Sequence, residues 1–435
     1  MEKVRALNSK LMFFVFIASL LFVGCSNQEI DSLDNQNEQG ATNYQVAEPS
    51  EEVFVAFEDV NLITMTENSV LENQTVIIKD GVICEIGKAE DVIIPDDAQL
   101  INGKGKYLMP GLIDMHVHIH NYKVDEALYL YNGVTGVQNM WGRPEVLRIK
   151  KFNDQRKVGL KIFTTGPIMD GLDPIWEGSL VVDSKEKARE EVIKIKENGY
   201  ESIKIYELLD MDVYEEIVKT ADEIGFRVVG HVPRNVGIEK VLELGQDSIE
   251  HLSGYSKSNI ENEAKMTAEK NVWNTPTLSV SHIASMGEDI EGLEYINPET
   301  VEFWKDMTKD LNRDMNVKVS QDILRVIHEK GGRILAGTDA NNPFVVPGFS
   351  LHNELYYLVG AGLTPYEALK AATYNPAEFL GEIERLGTVE VGKEADLILL
   401  SANPLEDINN TKTIEGIMVW GKWNERESLL RNIER

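Results

Sequence analysis

Two rhythms of apolar and polar positions divide the chain. Residues 53–108 are short β-rich apolar runs broken by turns. The runs 75–79, 82–86 and 98–101 read as strands, and Asp80-Gly81 is a strong hairpin turn. The same rhythm returns at 387–389, 396–400 and 414–420. Between the two ends lie apolar runs at 112–118, 134–140, 161–165, 202–206, 227–231, 248–251, 272–277 and 333–338. Helical stretches such as 185–198 and 211–224 separate several of them. Eight strands alternating with helices predict an α/β fold, a parallel (β/α)8 TIM-like barrel. The pattern assigns residues 111–381 to that barrel. It assigns 51–110 and 382–435 to one small β-sandwich built from both chain ends. Residues 259–330 hold at least one long helix whose bounds the pattern does not fix.

The first 24 residues follow neither rhythm. Lys3, Arg5 and Lys10 precede an uninterrupted run of apolar and small residues from Leu11 to Val23. That is the layout of a secretory signal peptide, too short to span a bilayer comfortably. Phe22-Val23-Gly24-Cys25 resembles a bacterial lipobox, although Phe22 stands where leucine is usual. The resemblance implies acylation of Cys25, export, and lipid anchoring to the cell envelope on the periplasmic or outer surface. The competing expectation is an ordinary cleavage site and a soluble exported protein. Residues 25–50 are rich in Asn, Gln, Asp, Glu and Ser and read as a flexible tether. Cys84, the other of two cysteines, sits in a mostly apolar run and is expected to be a small buried hydrophobe.

Charge removes one class of function. The 435 residues carry a formal net charge of -29, which disfavours nucleic acid, whose phosphates require clustered Lys and Arg. The charge identifies no partner; a small-molecule or dipeptide substrate is what the family resemblance given below implies, and a homo-oligomer stays open.

Chemistry concentrates at the strand ends. In a βα barrel the active site lies at the carboxyl ends of the strands. The first expected strand ends in His116-Val117-His118, the fifth in His231 and the sixth in His251, while the eighth runs into Asp339. His116 and His118, two apart on a strand, present both imidazoles to one side, where a cation could take two nitrogens. Lys204 lies between Ile203 and Ile205 in the fourth strand. A lysine facing a barrel interior is costly unless paired or modified. Two readings follow: a lysine paired with a carboxylate, or one carbamylated by carbon dioxide, which turns an ammonium into a carboxylate able to bridge two cations.

Several motifs together resemble the amidohydrolase superfamily. They are Gly111-Leu112-Ile113-Asp114-Met115-His116-Val117-His118, Ser202-Ile203-Lys204-Ile205-Tyr206, Gly230-His231-Val232-Pro233, Ser248-Ile249-Glu250-His251 and Ala336-Gly337-Thr338-Asp339. They are most similar to the imidazolonepropionase-related branch, which includes Xaa-Pro dipeptidases. The closing motifs Asn375-Pro376-Ala377 and Val391-Gly392-Lys393-Glu394-Ala395-Asp396-Leu397 fit as well. The resemblance implies two divalent metal ions, with zinc the best match to imidazole and carboxylate ligands. It implies that His116, His118 and Asp339 hold the more buried ion and His231 and His251 the more exposed one. Carbamylated Lys204 would bridge them. It further implies hydrolysis of a C–N bond by metal-activated hydroxide, with Asp339 moving the proton to the leaving nitrogen. Tyr206 would steady the oxyanion. His120 and His352 are candidate substrate contacts. Gln138 and Asn139 stand where the family often has a basic and an acidic residue. Three alternatives remain open at this level: a lactone or ester hydrolase on the same site, a deaminase, and a lipid-anchored binding protein without activity.

Overall fold

The computed structural model describes residues 52–283, 290–308 and 317–431. The expected signal peptide, the tether and Cys25 lie outside the described residues. No helix among the described residues is long and apolar enough to cross a membrane.

The described residues begin with five strands, β1 (Phe54–Leu62), β2 (Leu71–Lys79), β3 (Val82–Lys88), β4 (Gln99–Asn102) and β5 (Tyr107–Pro110). Asp80 and Gly81 join β2 to β3 with φ of 50° and 83°, the left-handed backbone that a two-residue hairpin turn requires. The barrel strands follow: β6 (Leu112–Val117), β7 (Val134–Asn139), β8 (Lys161–Asp170), the short β9 (Leu180–Val181), β10 (Ser202–Ile205), β11 (Arg227–Gly230), β12 (Ser248–Glu250), β13 (Trp273–Thr275) and β14 (Arg333–Ile334). The chain closes with β15 (Leu397–Leu400), β16 (Ile414–Val419) and β17 (Lys422–Glu425).

In the large sheet the parallel order runs from β6 through β7, β8, β10, β11, β12 and β13 to β14, with β9 added beside β8. The seam closes beyond β14. Met115 N–H donates to Ala336 O at 2.9 Å and Asp339 N–H to His116 O at 2.7 Å, and Val117 bridges Ala340 in parallel. β6 and β7 are buried along their whole length, as expected when helices cover one face and the barrel interior the other. The lower interior is filled by Ile113, Met115, Phe163, Val229, Trp273 and Leu335, and Phe379 seals it with its ring 5.8 Å from that of Trp273. That plug leaves polar groups to the opposite end. The eighth expected strand is shortened to two assigned residues, and the third runs on to Asp170 because Ile168 and Met169 pair with Lys204 and Ile205. The stretch that the pattern left open holds helices Ile260–Glu269, Leu278–Ile283, Pro298–Thr308 and Val317–Glu329.

The small unit differs from the expected sandwich. Both chain ends contribute, but β1 to β5 and β15 to β17 hydrogen-bond into one eight-stranded sheet instead of two separate ones. The sheet returns on itself: Ile83 N–H donates to Lys393 O and Ala395 N–H to Gly81 O, each at 2.9 Å. β15 shows why a continuous apolar run was needed. Leu397 and Leu399 face the sheet's own core, while Ile398 and Leu400 face the barrel's. Cys84 also corrects an expectation. It is exposed, because the strand alternation turns Ile83 inward and Cys84 out.

Candidate active site

Each functional side chain reaches the barrel mouth by a local rule. On β10, Ile203 and Ile205 pack into the outer core, so alternation turns Lys204 inward, where it is 1% exposed. On β11, Val229 faces the interior, and His231 follows two residues later on the same side. His251 is different. It follows the inward Glu250 and by alternation would turn outward, but His251 and Leu252 take φ of 59° and 53°. That turn brings the His251 ring to 4.5 Å from His116 and 4.8 Å from His231. Asp339 also has left-handed backbone, φ 64°. Such conformations cost non-glycine residues about 1–3 kcal/mol each and gather at functional sites.

Asp339 sits at the centre. Its Oδ1 is 2.9 Å from His118 Nε2 and 3.5 Å from His116 Nε2, and its Oδ2 is 3.8 Å from His251 Nδ1. The Nδ1 atoms of three of the histidines have nearer partners. His116 Nδ1 lies 2.6 Å from Glu250 Oε2, His231 Nδ1 3.3 Å from Glu207 Oε1, and His251 Nδ1 2.7 Å from Thr277 Oγ1. His116 Nε2, Lys204 Nζ and Asp339 Oδ1 are buried and make no hydrogen bond. Buried polar atoms are nearly always partnered, so three orphans in one cluster point to a missing ligand. One donor atom each from His116, His251 and Asp339 lies within 4.8 Å of the others. Imidazole and carboxylate donors at this spacing fit a divalent cation. This tightest triangle contains His251 in place of His118, so the histidines are less cleanly divided between two sites than the sequence motifs imply.

The electrostatics suit the same ligand. Burial holds His116 and His251 well below the ordinary imidazole range. Burial would raise the Asp339 carboxyl, but His251, His116 and His118 hold it well below the usual carboxylate range. Neutral imidazoles around an ionised carboxylate are the protonation states that metal ligation requires. Burial lowers Lys204 to about 8, against the pull of Glu250 and Asp339.

The surrounding side chains fix the backbone. Asp114 Oδ1 accepts from His116 N–H at 3.2 Å and Thr338 N–H at 3.0 Å, and its Oδ2 accepts from Thr338 Oγ1 at 2.7 Å, which ties β6 to the segment before Asp339. Asn139 accepts from Ile119 N–H and donates to Trp141 O and Thr164 Oγ1. The amide at this position therefore holds the loop after His118. Trp141, Trp176 and Tyr206 follow three neighbouring strands as an aromatic wall, with centroids 6.4 Å apart at each step, and the Tyr206 ring lies 4.1 Å from that of His231.

The structure thus brings together His116, His118, Lys204, His231, His251, Asp339 and Tyr206. The His120 side chain is exposed, while its N–H donates to Asp125 Oδ2 at 3.0 Å. His352 is a correction. It is buried with Nδ1 2.9 Å from Thr411 Oγ1 and lies beside Asn132, which precedes β7 at the opposite end of the barrel. The helix Phe349–Gly360 starts beside Leu128 and Asn132, so nearness in sequence to Asp339 did not mean nearness in space. Glu250, Glu207 and Thr277 were not anticipated as supports. Only Glu250 carried a signal, as a polar residue inside an otherwise buried strand.

The amidohydrolase family model matches residues 107–424. A 5-methylthioadenosine/S-adenosylhomocysteine deaminase of Caldanaerobacter subterraneus subsp. tengcongensis is 24% identical over 397 residues, covering 79% of this chain and 84% of that protein. An imidazolonepropionase of Flavobacterium johnsoniae is 24% identical over 365 residues, covering 77% and 87%. A crystal structure of a Xaa-Pro dipeptidase with bound methionine shares the fold with a TM-score of 0.69 at 21% identity, covering 86% of this chain and 100% of that one. With a match that spans the barrel and reaches strands β5, β15 and β16 of the small sheet, and with the family's ligand types at the barrel mouth, this chain belongs to the amidohydrolase family.

Proposed function

We propose that the protein hydrolyses an amide or peptide C–N bond of a small substrate, with two divalent cations, zinc by preference, held by His116, His118, His231, His251, Asp339 and a carbamylated Lys204. The observation that carries this is the partnerless Lys204 Nζ, buried beside His116 and Asp339. An ammonium there would repel cations by about 4 kcal/mol per unit charge at 4 Å and an effective dielectric near 20. Reaction of the neutral amine with carbon dioxide forms one N–C bond and releases one proton. It leaves a carbamate with two oxygens and a negative charge.

Bound cations supply Lewis acidity and lower the pKa of water. Asp339 would take a proton from the attacking water and deliver it to the leaving nitrogen. Tyr206 directs its hydroxyl at the carbonyl oxygen as charge develops. The Trp141 and Trp176 rings offer an apolar flank for the substrate. Xaa-Pro dipeptides are natural candidates on fold likeness alone. The deaminase relative keeps a second hydrolytic C–N reaction in view; carbamylation of Lys204 speaks for amide hydrolysis over it.

The deciding experiment is metal analysis of the purified protein together with a screen of dipeptides, N-acyl amino acids, aminopurines and lactones. Two zinc ions per chain with amide turnover are expected. A metal-free active protein, or turnover confined to lactones or aminopurines, overturns this function. Export and lipid anchoring through Cys25 are proposed from the sequence alone. Changing Cys25 to Ser should release the protein from membranes, and a mature chain starting elsewhere without an acyl group rejects the anchor.

A further inference from the structure

The strand β12 carries an acidic side chain in a place that packing alone would fill with an apolar one. Glu250 is 1% exposed, and burying a carboxyl is costly unless both oxygens are used. Both are. Ser248 Oγ donates to Oε1 at 2.7 Å, from two residues earlier on the same face of the strand. Oε2 faces His116 Nδ1 at 2.6 Å. The carboxyl is therefore locked by its own strand and presents one acceptor to one imidazole.

We propose that Glu250 is a positioning residue that fixes His116 in its Nδ1–H tautomer and so keeps Nε2 open as a cation donor. The inference rests on the metal-dependent function above. A carboxylate oxygen in contact with Nδ1 requires the hydrogen on Nδ1, and the lone pair then lies on Nε2. His116 Nε2 makes no hydrogen bond and stands 3.5 Å from Asp339 Oδ1. With the acceptor at Nδ1 removed, the ring is free to carry its hydrogen on Nε2, the tautomer that free histidine prefers. An Nε2–H would then donate to Asp339 across this gap. That single bond would occupy two donor atoms at once and close the site on itself. Glu250 prevents the collapse without touching substrate or cation. Its neighbours at the other histidines have partners of a different kind. Glu207 serves His231 but also pairs with Arg234 at 2.6 Å. Thr277 serves His251 with a hydroxyl that can donate or accept.

Two substitutions separate the acceptor from the volume. Glu250→Gln keeps an oxygen for Nδ1–H, and the Ser248 hydroxyl can turn to accept from the new amide. Glu250→Met keeps bulk and removes the acceptor. The first readout is the nitrogen-15 spectrum of His116 in metal-free protein, assigned through the loss of its signals in His116→Gln. The second is zinc affinity by chelator competition. Wild type and Glu250→Gln should show Nδ1–H and bind zinc within a few-fold of each other. Glu250→Met should shift toward Nε2–H and bind zinc about 10–100-fold more weakly. Should Glu250→Met unfold, Glu250→Gln still decides, since loss of the Nδ1–H tautomer there rejects the role of the acceptor. Nδ1–H retained in folded Glu250→Met, or unchanged zinc affinity, overturns the proposal. A wild-type protein that binds no zinc defeats the metal-dependent function instead, and the tautomer measurement still judges Glu250.

Discussion

Two lysines are buried in the wall of the same barrel, and they are kept in opposite ways. Lys161, at the start of β8, is 3% exposed. Its Nζ is ion-paired with Asp396 and with Glu394, the latter at 3.3 Å, and stands 3.4 Å from the centre of the Trp420 ring. Lys204, on the neighbouring β10, is 1% exposed, and its Nζ has no carboxylate within ion-pair distance among the described residues. The desolvation problem is the same at both places. At the end near the small sheet, carboxylates and an aromatic face resolve it, and the lysine becomes a rivet between barrel and sheet. At the mouth it is left open, among histidines kept neutral by burial. A buried charge is thus a stability device where its partners come with the fold, and a site where they must be supplied from outside.

This contrast can be attacked from both ends. Asp339→Asn should have the largest effect, lowering turnover of the best amide substrate on the order of 10^3-fold, because it removes a ligand and the proton carrier together. Full metal content with wild-type turnover in that variant would reject the role of Asp339. Lys204→Ala should lose metal and about 10^2-fold in activity. Short carboxylic acids should restore part of both, and bicarbonate should speed reconstitution of the wild-type apoprotein. Failure of both rescues would mean that Lys204 needs no carbamate. Lys161→Met should act on stability alone. Glu394 keeps Arg385 at 2.6 Å, but leaving the buried Asp396 without its cation should cost about 3–5 kcal/mol in denaturant unfolding, with metal content per folded molecule unchanged. A neutral result would remove the rivet from the comparison.

The smallest effect sharpens the contrast with a third buried charge. Glu354 accepts from Leu278 N–H at 2.9 Å, from Ser279 N–H at 2.7 Å and from Ser279 Oγ at 2.8 Å. Burial nevertheless pushes its carboxyl up to about 7, against those donors. The folded state therefore holds its proton to higher pH than the unfolded chain, whose carboxyl titrates near the ordinary value of about 4.3. Stability is lost as pH rises from that value through 7. Glu354→Gln lacks this dependence, so its stability deficit relative to wild type should narrow between pH 5 and pH 8. A constant deficit across paired urea titrations would show that the donors fully offset burial.

The barrel was legible because its strands are covered on both faces and read as apolar runs between helices. The candidate ligands were legible because they interrupt or end such runs with residues that packing would reject. Other parts needed coordinates. His251 reaches the cluster through left-handed backbone that strand alternation does not foretell. His352 looked near Asp339 along the chain but binds Thr411 at the other end. Apolar alternation shows that two β segments need a partner, yet it does not distinguish one returning sheet from two stacked ones. The aromatic wall was invisible because Trp141 and Trp176 stand in loops, where no period applies.

The seam of the barrel also sets how much chain the proposed cation site needs. Thr338 meets Asp114 across 224 residues of chain, and Asp339 donates its N–H to His116 in the same closure. A chain cut before residue 339 keeps the four histidines of the cluster and lacks the carboxylate at their centre. The cluster is therefore a product of ring closure, completed only when the last barrel segment returns to the first.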